Sequence, residues 1–407
     1  MENKKTSSNG IDVLHRPCQR GTVAHLIAGT TSLQNHLVLG CIYPETAGVI
    51  AVADYPTREW SKREIKDAGR MLGRTVPYDS DMAGAVAAFN VAHNWRAAHA
   101  YPLMRERIRL TTISKGLTAG RIKRMDSIRK KLRRSPISLD RMQDLAGIRA
   151  ILPTMEDVNR VRRRYSEDLR TSDYVAEPKP GGYRSIHLIK PFDEAGAGAM
   201  YRGQKVEIQL RTHLQHVWAT AVEAIGNMRG EDLKAGEGNR GWLRLLTLMS
   251  GVIAEREGLP QGADVPMDQA ERNAELRDLC HSLSAIAALT SFRSVVRETE
   301  SRSGSGFYLV QMNAETGEVT VSAQSSFRMG ESSYNSMVDS GERQQSILVA
   351  VDSMAALRAA YPNYFLDVAT FIELLADATN INMGLTAPIP TSAIDRLSLD
   401  FLKAWKR

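Results

Sequence analysis

Between residues 205 and 212, apolar and polar positions alternate. Val206, Ile208 and Leu210 interleave with Glu207, Gln209 and Arg211. A period of two sends the aliphatics to one sheet face and an acid, an amide and a guanidinium to the other, which predicts a strand over 205–211. Further strands are predicted at 145–152 and 185–191. The second is entered through Pro180-Gly181-Gly182 and carries Tyr183, Ser185 and His187 on one face. Residues 61–114 have a helical pattern, Ala-rich from 83 to 100, and a basic helix is predicted over 121–134, stopped by Ser135-Pro136. Helices follow near 155–170, at 214–225 and at 242–255. The Ala/Gly-rich run 194–199 reads as a hairpin loop.

Gly258-Leu259-Pro260-Gln261-Gly262 is the strongest linker signal. Beyond it, strands at 306–312 and 318–323 flank Asn313-Ala314-Glu315-Thr316-Gly317, a hairpin signal. A third strand is predicted at 346–351, with helices at 354–360 and 366–378. These breaks divide the chain into a leader at 1–54, a helical part at 55–118, a core at 119–257, a linker at 258–266 and a smaller C-terminal α+β module at 267–407. There is no internal repeat and no low-complexity tract. The expected class is α+β, a mixed sheet flanked by helices, with that module appended.

At 407 residues the chain has room for two or three domains, and 43% hydrophobic content permits full cores. Cys18, Cys41 and Cys280 are too scattered for a disulfide framework or a zinc site, so a reducing cytoplasm is the expected location. Met1-Glu2-Asn3-Lys4-Lys5 leads into polar residues and does not read as a signal peptide. Apolar runs between Thr22 and Asp54 are broken by His25, Gln34, Asn35, His36 and Glu45, so no membrane span is expected. Net charge is +7, but residues 105–170 hold 19 Lys/Arg against 8 Asp/Glu, a local balance of +11 that leaves about −4 elsewhere. Such a block is either a solvated surface or a counter-charge for polyphosphate or RNA.

Two carboxylates stand near the starts of apolar strands, Asp144 and Glu207. A pair of this kind is what a magnesium ion carrying a nucleoside triphosphate asks of a protein. A Gly pair lets backbone approach a ligand, and Tyr183 offers a flat surface for a base. Each feature also has a structural reading, as an ordinary solvated strand face or a satisfied histidine.

Taken together, Lys179 to His187, the Glu207 to Thr212 strand, the Asp144 to Arg149 strand and Arg121-Ile122-Lys123 with Ser127, Ile128 and Lys131 resemble the synthetase domain of RelA/SpoT proteins. The resemblance covers 119–225. It implies a nucleotidyltransferase-like fold and a GTP diphosphokinase-like pyrophosphotransferase that moves the β,γ-diphosphate of ATP to the 3′-hydroxyl of GDP or GTP. It also implies roles. Asp144 and Glu207 match magnesium ligands, with Glu207 placed to take the hydroxyl proton. Tyr183 matches the ring that stacks on the acceptor base. Arg121 and Arg149 match guanidiniums that sandwich adenine, and Lys123, Lys131, Lys179 and Arg211 are phosphate-side candidates. His187, Gln209 and Glu223 complete the nucleotide-binding set, with Glu223 expected against the acceptor although the histidine that usually follows it is missing. None of the nine histidines is followed by Asp, so the metal-dependent hydrolase of the long bifunctional relatives is expected to be absent.

Tyr361-Pro362-Asn363-Tyr364-Phe365 packs three aromatics into five residues. One reading is a turn that closes a small core. The other follows from similarity in layout to fused toxin–antitoxin members of the superfamily, where a C-terminal Tyr-x-x-Tyr segment fills the adenine site. Tyr361 and Tyr364 are then regulatory, released by a protein trigger such as a phage protein. The acceptor stays open between guanine nucleotides, making (p)ppGpp alarmones, and the 3′-adenosine of tRNA, making a translation toxin. Oligomeric state stays open too, a homo-oligomer among the options.

Overall fold

The computed structural model describes residues 54–74, 81–291, 295–299, 306–313, 318–339, 344–365 and 368–381. The expected leader, all but its last residue, lies outside them, as do Cys18, Cys41 and the hairpin tip at 314–317. Ile50–Arg407 forms one compact unit.

Three helices come first: α1 (Lys62–Leu72), α2 (Met82–Ala97) and α3 (Ala100–Ser114). Ser61 and Glu64 cap α1 reciprocally, each side chain bonding the other's backbone N–H. The strand β1 (Leu117–Ile122) leads to α4 (Met125–Arg134), and β2 (Ala146–Leu152) leads to α5 (Met155–Arg162). Next come the edge strand β3 (Arg170–Asp173), then β4 (Ile186–Pro191) and β5 (Lys205–Thr212). Thr212 ends β5 and caps α6 (His213–Arg229), which is followed by α7 (Arg240–Arg256). The C-terminal part contains α8 (Gln269–Ser282), α9 (Ala285–Thr290), β6 (Val295–Thr299), β7 (Phe307–Asn313) and β8 (Glu318–Gln324). It closes with α10 (Phe327–Asp339), β9 (Gln344–Ala350), α11 (Met354–Ala360) and α12 (Ala369–Thr379).

The expected mixed sheet flanked by helices is present. Its nine described strands run in the order β3-β4-β5-β2-β1-β9-β7-β8-β6. Strand β5 is parallel to β2, β6 is parallel to β8, and the other neighbours are antiparallel. Val206, Ile208 and Leu210 face a core shared with α3, α5 and α10. On the opposite face, Val310, Ile347 and Val349 of β7 and β9 pack under α6, α7, α11 and α12. That second face is apolar on β7 and β9 but polar on β4, β5 and β2. The change in polarity is where the cavity forms.

Four expectations need correction. Arg121 is not helical: it lies in β1, which pairs with β2 on one side and β9 on the other, and α4 starts only at Met125. Pairing on both edges overrides a local helical pattern. The helix expected to reach 170 stops at Arg162, because Arg170–Asp173 pairs antiparallel with β4. The linker at 258–266 is packed rather than loose. Leu259 N donates to Ala254 O at 2.8 Å, Gln261 Nε2 donates to Gly251 O at 3.1 Å, and Val265 is buried. Finally, the C-terminal part is not a separate body, since Arg121 pairs with Val349 and Gly120 with Ala350 in one continuous sheet.

Candidate active site

Sheet register brings the polar side chains together. His187 lies opposite Gln209, and Gln209 opposite Arg149. One row along, Glu207 lies opposite Gly147, and Gly147 opposite Arg121. A Cβ on Gly147 would meet nothing within 4 Å, so this residue leaves the floor open between an acid and a guanidinium. Above the floor is a cavity of about 970 Å³, bounded by Tyr183, Lys179, Trp218, Lys234 and Thr247 among others.

Along β5 the polar face is hydrogen-bonded end to end. Arg211 Nη2 donates to Gln209 Oε1 at 2.8 Å, and Gln209 Nε2 donates to Glu207 Oε2 at 2.7 Å. The other Glu207 oxygen lies 3.0 Å from His187 Nδ1, and His187 Nε2 lies 2.8 Å from the Tyr183 hydroxyl. With Nδ1 donating to the carboxylate, Nε2 meets the Tyr183 hydroxyl, which can either donate or accept. Burial works to raise the Glu207 pKa, but the hydrogen bond and charge of His187, then Gln209 and Lys123, bring it down to about 2.

Asp144 sits just before β2. Its Oδ2 accepts from Lys123 Nζ at 3.0 Å and Lys131 Nζ at 2.8 Å. Those two ammoniums hold its pKa below the usual carboxylate range, against the opposing effect of burial. Its Oδ1 is buried without a hydrogen-bond partner. Asp144 and Glu207 also repel one another electrostatically. An orphaned carboxylate oxygen beside a second carboxylate suits a hard divalent cation that completes its shell with phosphate oxygens and water. Among the described residues no group of three or more His, Cys, Asp or Glu is arranged to hold a metal.

The walls differ in chemistry. On one side Lys179 Nζ lies 4.2 Å from the centre of the Tyr174 ring and 5.3 Å from that of Tyr183. Tyr174 also meets Tyr183 and His187 edge-on. Tyr174 was missed in the sequence, because it falls between the helix expected near 155–170 and the strand expected at 185–191, in a stretch with no pattern of its own. On the other side stand Arg121 and Arg149, and with them Glu223 of α6. Burial works to raise the Glu223 pKa, but Lys234, Arg121 and Arg149 drive it strongly down. Lys234 Nζ bonds its Oε1 at 2.6 Å. Glu223 thus stands with the arginine pair, held by Lys234. Lys234, Trp218 and Thr247 line the cavity without having been singled out as binding residues, since nothing in their local pattern marks them.

The Arg149 guanidinium is already covered. Its carbon lies 4.6 Å from the centre of the Tyr361 ring, and its Nη1 donates to Ala360 O at 3.2 Å. His216 Nε2 holds the preceding carbonyl, Ala359 O, at 3.1 Å. Tyr361 is 1% exposed and Tyr364 2%, with ring centres 6.3 Å apart. Both tyrosines are within electrostatic reach of Arg121.

Residues 120–227 match the region found in RelA / SpoT proteins. Among curated relatives, GTP pyrophosphokinase YjbM of Bacillus subtilis is 37% identical over 117 residues, covering 26% of this chain and 54% of that protein. This chain therefore spans about half the length of that relative. Uncharacterized protein Mb1401 of Mycobacterium bovis is 27% identical over 287 residues, 63% of this chain and 97% of its own. Among solved structures, small alarmone synthetase 1 from Bacillus subtilis bound to its product pppGpp is 26% identical, covers 40% of this chain and 91% of its own, and has a TM-score of 0.34. No helix among the described residues is long and apolar enough to cross a membrane.

Proposed function

We propose that this chain is a pyrophosphotransferase that moves the β,γ-diphosphate of ATP to the 3′-hydroxyl of GDP or GTP. The observation that carries the reading is that both carboxylates meet one cavity between a Tyr/Lys wall and an arginine pair. The acceptor base stacks on Tyr183, with Lys179 over the same aromatic pair. The adenine lies with Arg121 and Arg149, whose planar cations suit stacking. The 3′-oxygen attacks the β-phosphorus, the bond between the α,β-bridging oxygen and that phosphorus breaks, and AMP leaves. Glu207 is ionised at any working pH and, beside the hydroxyl, receives its proton; His187 at 3.0 Å shares the charge. Asp144 and Glu207 would hold a magnesium ion, which neutralises phosphate charge when bound. Lys123, Lys131 and Arg211 add cationic charge for the polyphosphate.

The Tyr361 contact supports a closed state in which the segment after α11 occupies the adenine site. A protein trigger that withdraws this segment would switch the activity on. A tRNA 3′-adenosine presents the same hydroxyl, and the +11 balance over 105–170 favours that acceptor as the second reading, a translation toxin.

The test is transfer of label from ATP labelled at the γ-phosphate, in separate reactions with GDP, GTP and bulk tRNA, for the unaltered chain and for Tyr361→Ala. Label on a guanine nucleotide is the expected result, and label on tRNA alone replaces it with the second reading. Glu207→Gln should abolish transfer while keeping nucleotide binding, and undiminished turnover in that variant removes the mechanism.

A further inference from the structure

Arg184 adjoins the residue read as the acceptor's stacking surface, yet its guanidinium is buried and engaged elsewhere. Nη1 donates to Val175 O at 2.9 Å, Nη2 to Pro260 O at 2.7 Å, and Nε to Ser250 Oγ at 3.4 Å. These acceptors belong to three separate stretches of chain: the connection after β3, the packed segment after α7, and α7 itself. The Ser250 hydroxyl in turn donates to Gly182 O. Gly182 has φ +95°, and a Cβ there would lie 2.5 Å from Ser250 Cβ, so the turn is seated directly on α7. From the far side Gly262 approaches Pro178, whose Cγ would lie 3.6 Å from an added Cβ. Inside the turn, Lys179 N donates to Tyr183 O at 3.2 Å and Gly182 N to Lys179 O at 2.8 Å.

We infer that Arg184 is a positioning residue. With Ser250 and residues 258–262 it fixes the turn at 178–183, and through it the presentation of Tyr183 and Lys179 to the acceptor nucleotide. The inference deepens the function proposed above and rests on its reading of Tyr183 as the acceptor's stacking surface. A guanidinium suits the task because its planar fork offers five N–H donors in fixed directions, enough for three divergent acceptors at once. A lysine at 184 could not span them. The segment expected to be a linker therefore serves as an outer brace of the acceptor wall.

The test is calorimetric titration of the full chain with GDP, beside a thermal unfolding midpoint, for Arg184→Met, Arg184→Lys, Ser250→Ala and Tyr183→Ala. Arg184→Met should weaken GDP by about tenfold or more, on the scale of one lost charged hydrogen bond, at unchanged stoichiometry. Arg184→Lys and Ser250→Ala should fall between it and the unaltered chain, and they carry the test if Arg184→Met does not fold. Lower stoichiometry at unchanged affinity would mean that Arg184 only maintains the folded fraction, which overturns the inference. Unchanged GDP affinity in the Arg184 and Ser250 variants, with loss in Tyr183→Ala, overturns the brace and leaves the site reading standing. Unchanged affinity in Tyr183→Ala as well overturns both.

Discussion

Tyr361 holds two opposing features. Its ring covers the Arg149 guanidinium, while its hydroxyl is buried with no hydrogen-bond partner. Burial pushes this phenol's pKa up, with Arg149 and Arg121 opposing, so it stays un-ionised. Leaving a buried hydroxyl unpaired costs about 1–3 kcal/mol, and deleting it without changing the ring's shape removes that cost. Tyr361→Phe should therefore tighten the closed state, with a higher thermal midpoint and less label transfer than the unaltered chain. Tyr361→Ala should do the reverse, through loss of the ring itself. Equal transfer by the Phe and Ala variants would mean that the ring does not gate the adenine site. The sequence showed the pair of tyrosines three residues apart but not this imbalance, because whether a hydroxyl finds a partner depends on packing far along the chain.

At the scale of elements, legibility followed the strength of the local pattern. Strand β5 was readable because Glu207, Gln209 and Arg211 alternate strictly with aliphatics. Strand β1, Leu-Thr-Ala-Gly-Arg-Ile, has no such alternation, so Arg121 was assigned to a helix until its pairing with Gly147 placed it. The junction of α2 and α3 shows a different effect. There His99 is buried, its Nδ1 2.8 Å from Trp95 O and its ring edge-on to Trp95 at 4.5 Å. Burial lowers its pKa from 6.5 to about 4, against the opposing hydrogen bond. Between those values the unfolded chain binds a proton at this position that the folded chain does not. Stability from His99 is thus complete above 6.5 and is lost as pH falls toward 4, by about 1.4 kcal/mol per pH unit at most. Urea unfolding of the unaltered chain and of His99→Gln from pH 7.5 to 4 should show a difference that narrows across this window. A constant difference would mean that His99 does not titrate there.

At the scale of the molecule, the C-terminal part was expected to be a module on a linker, because Gly and Pro at 258–262 look alike whether a segment is free or packed. What joins the two parts is non-local and so left no mark in the local pattern: β9 on β1, and α10 on α2. The second contact is ionic. Arg96 is 0% exposed and paired with Glu331 of α10, its carbon lies 4.4 Å from the centre of the Tyr334 ring, and its Nε donates to Lys123 O at 2.7 Å. Tyr334 accepts from Met125 N at 3.2 Å. Helix α10 thereby grips the turn from which the Lys123 ammonium reaches Asp144. Removing one partner of a buried pair strands the other charge in a poor solvent, at a cost of about 3–5 kcal/mol. Glu331→Ala should therefore destabilise the chain by that amount in urea, and Glu331→Gln, which keeps a hydrogen-bond acceptor, by less. Because the two parts share a sheet, loss of secondary structure and loss of tryptophan burial should coincide in one transition even in the variant. Two separated transitions, with the C-terminal part unfolding first, would show that the sheet across β1 and β9 does not couple them, and that release of the Tyr361 segment can proceed by unfolding that part alone.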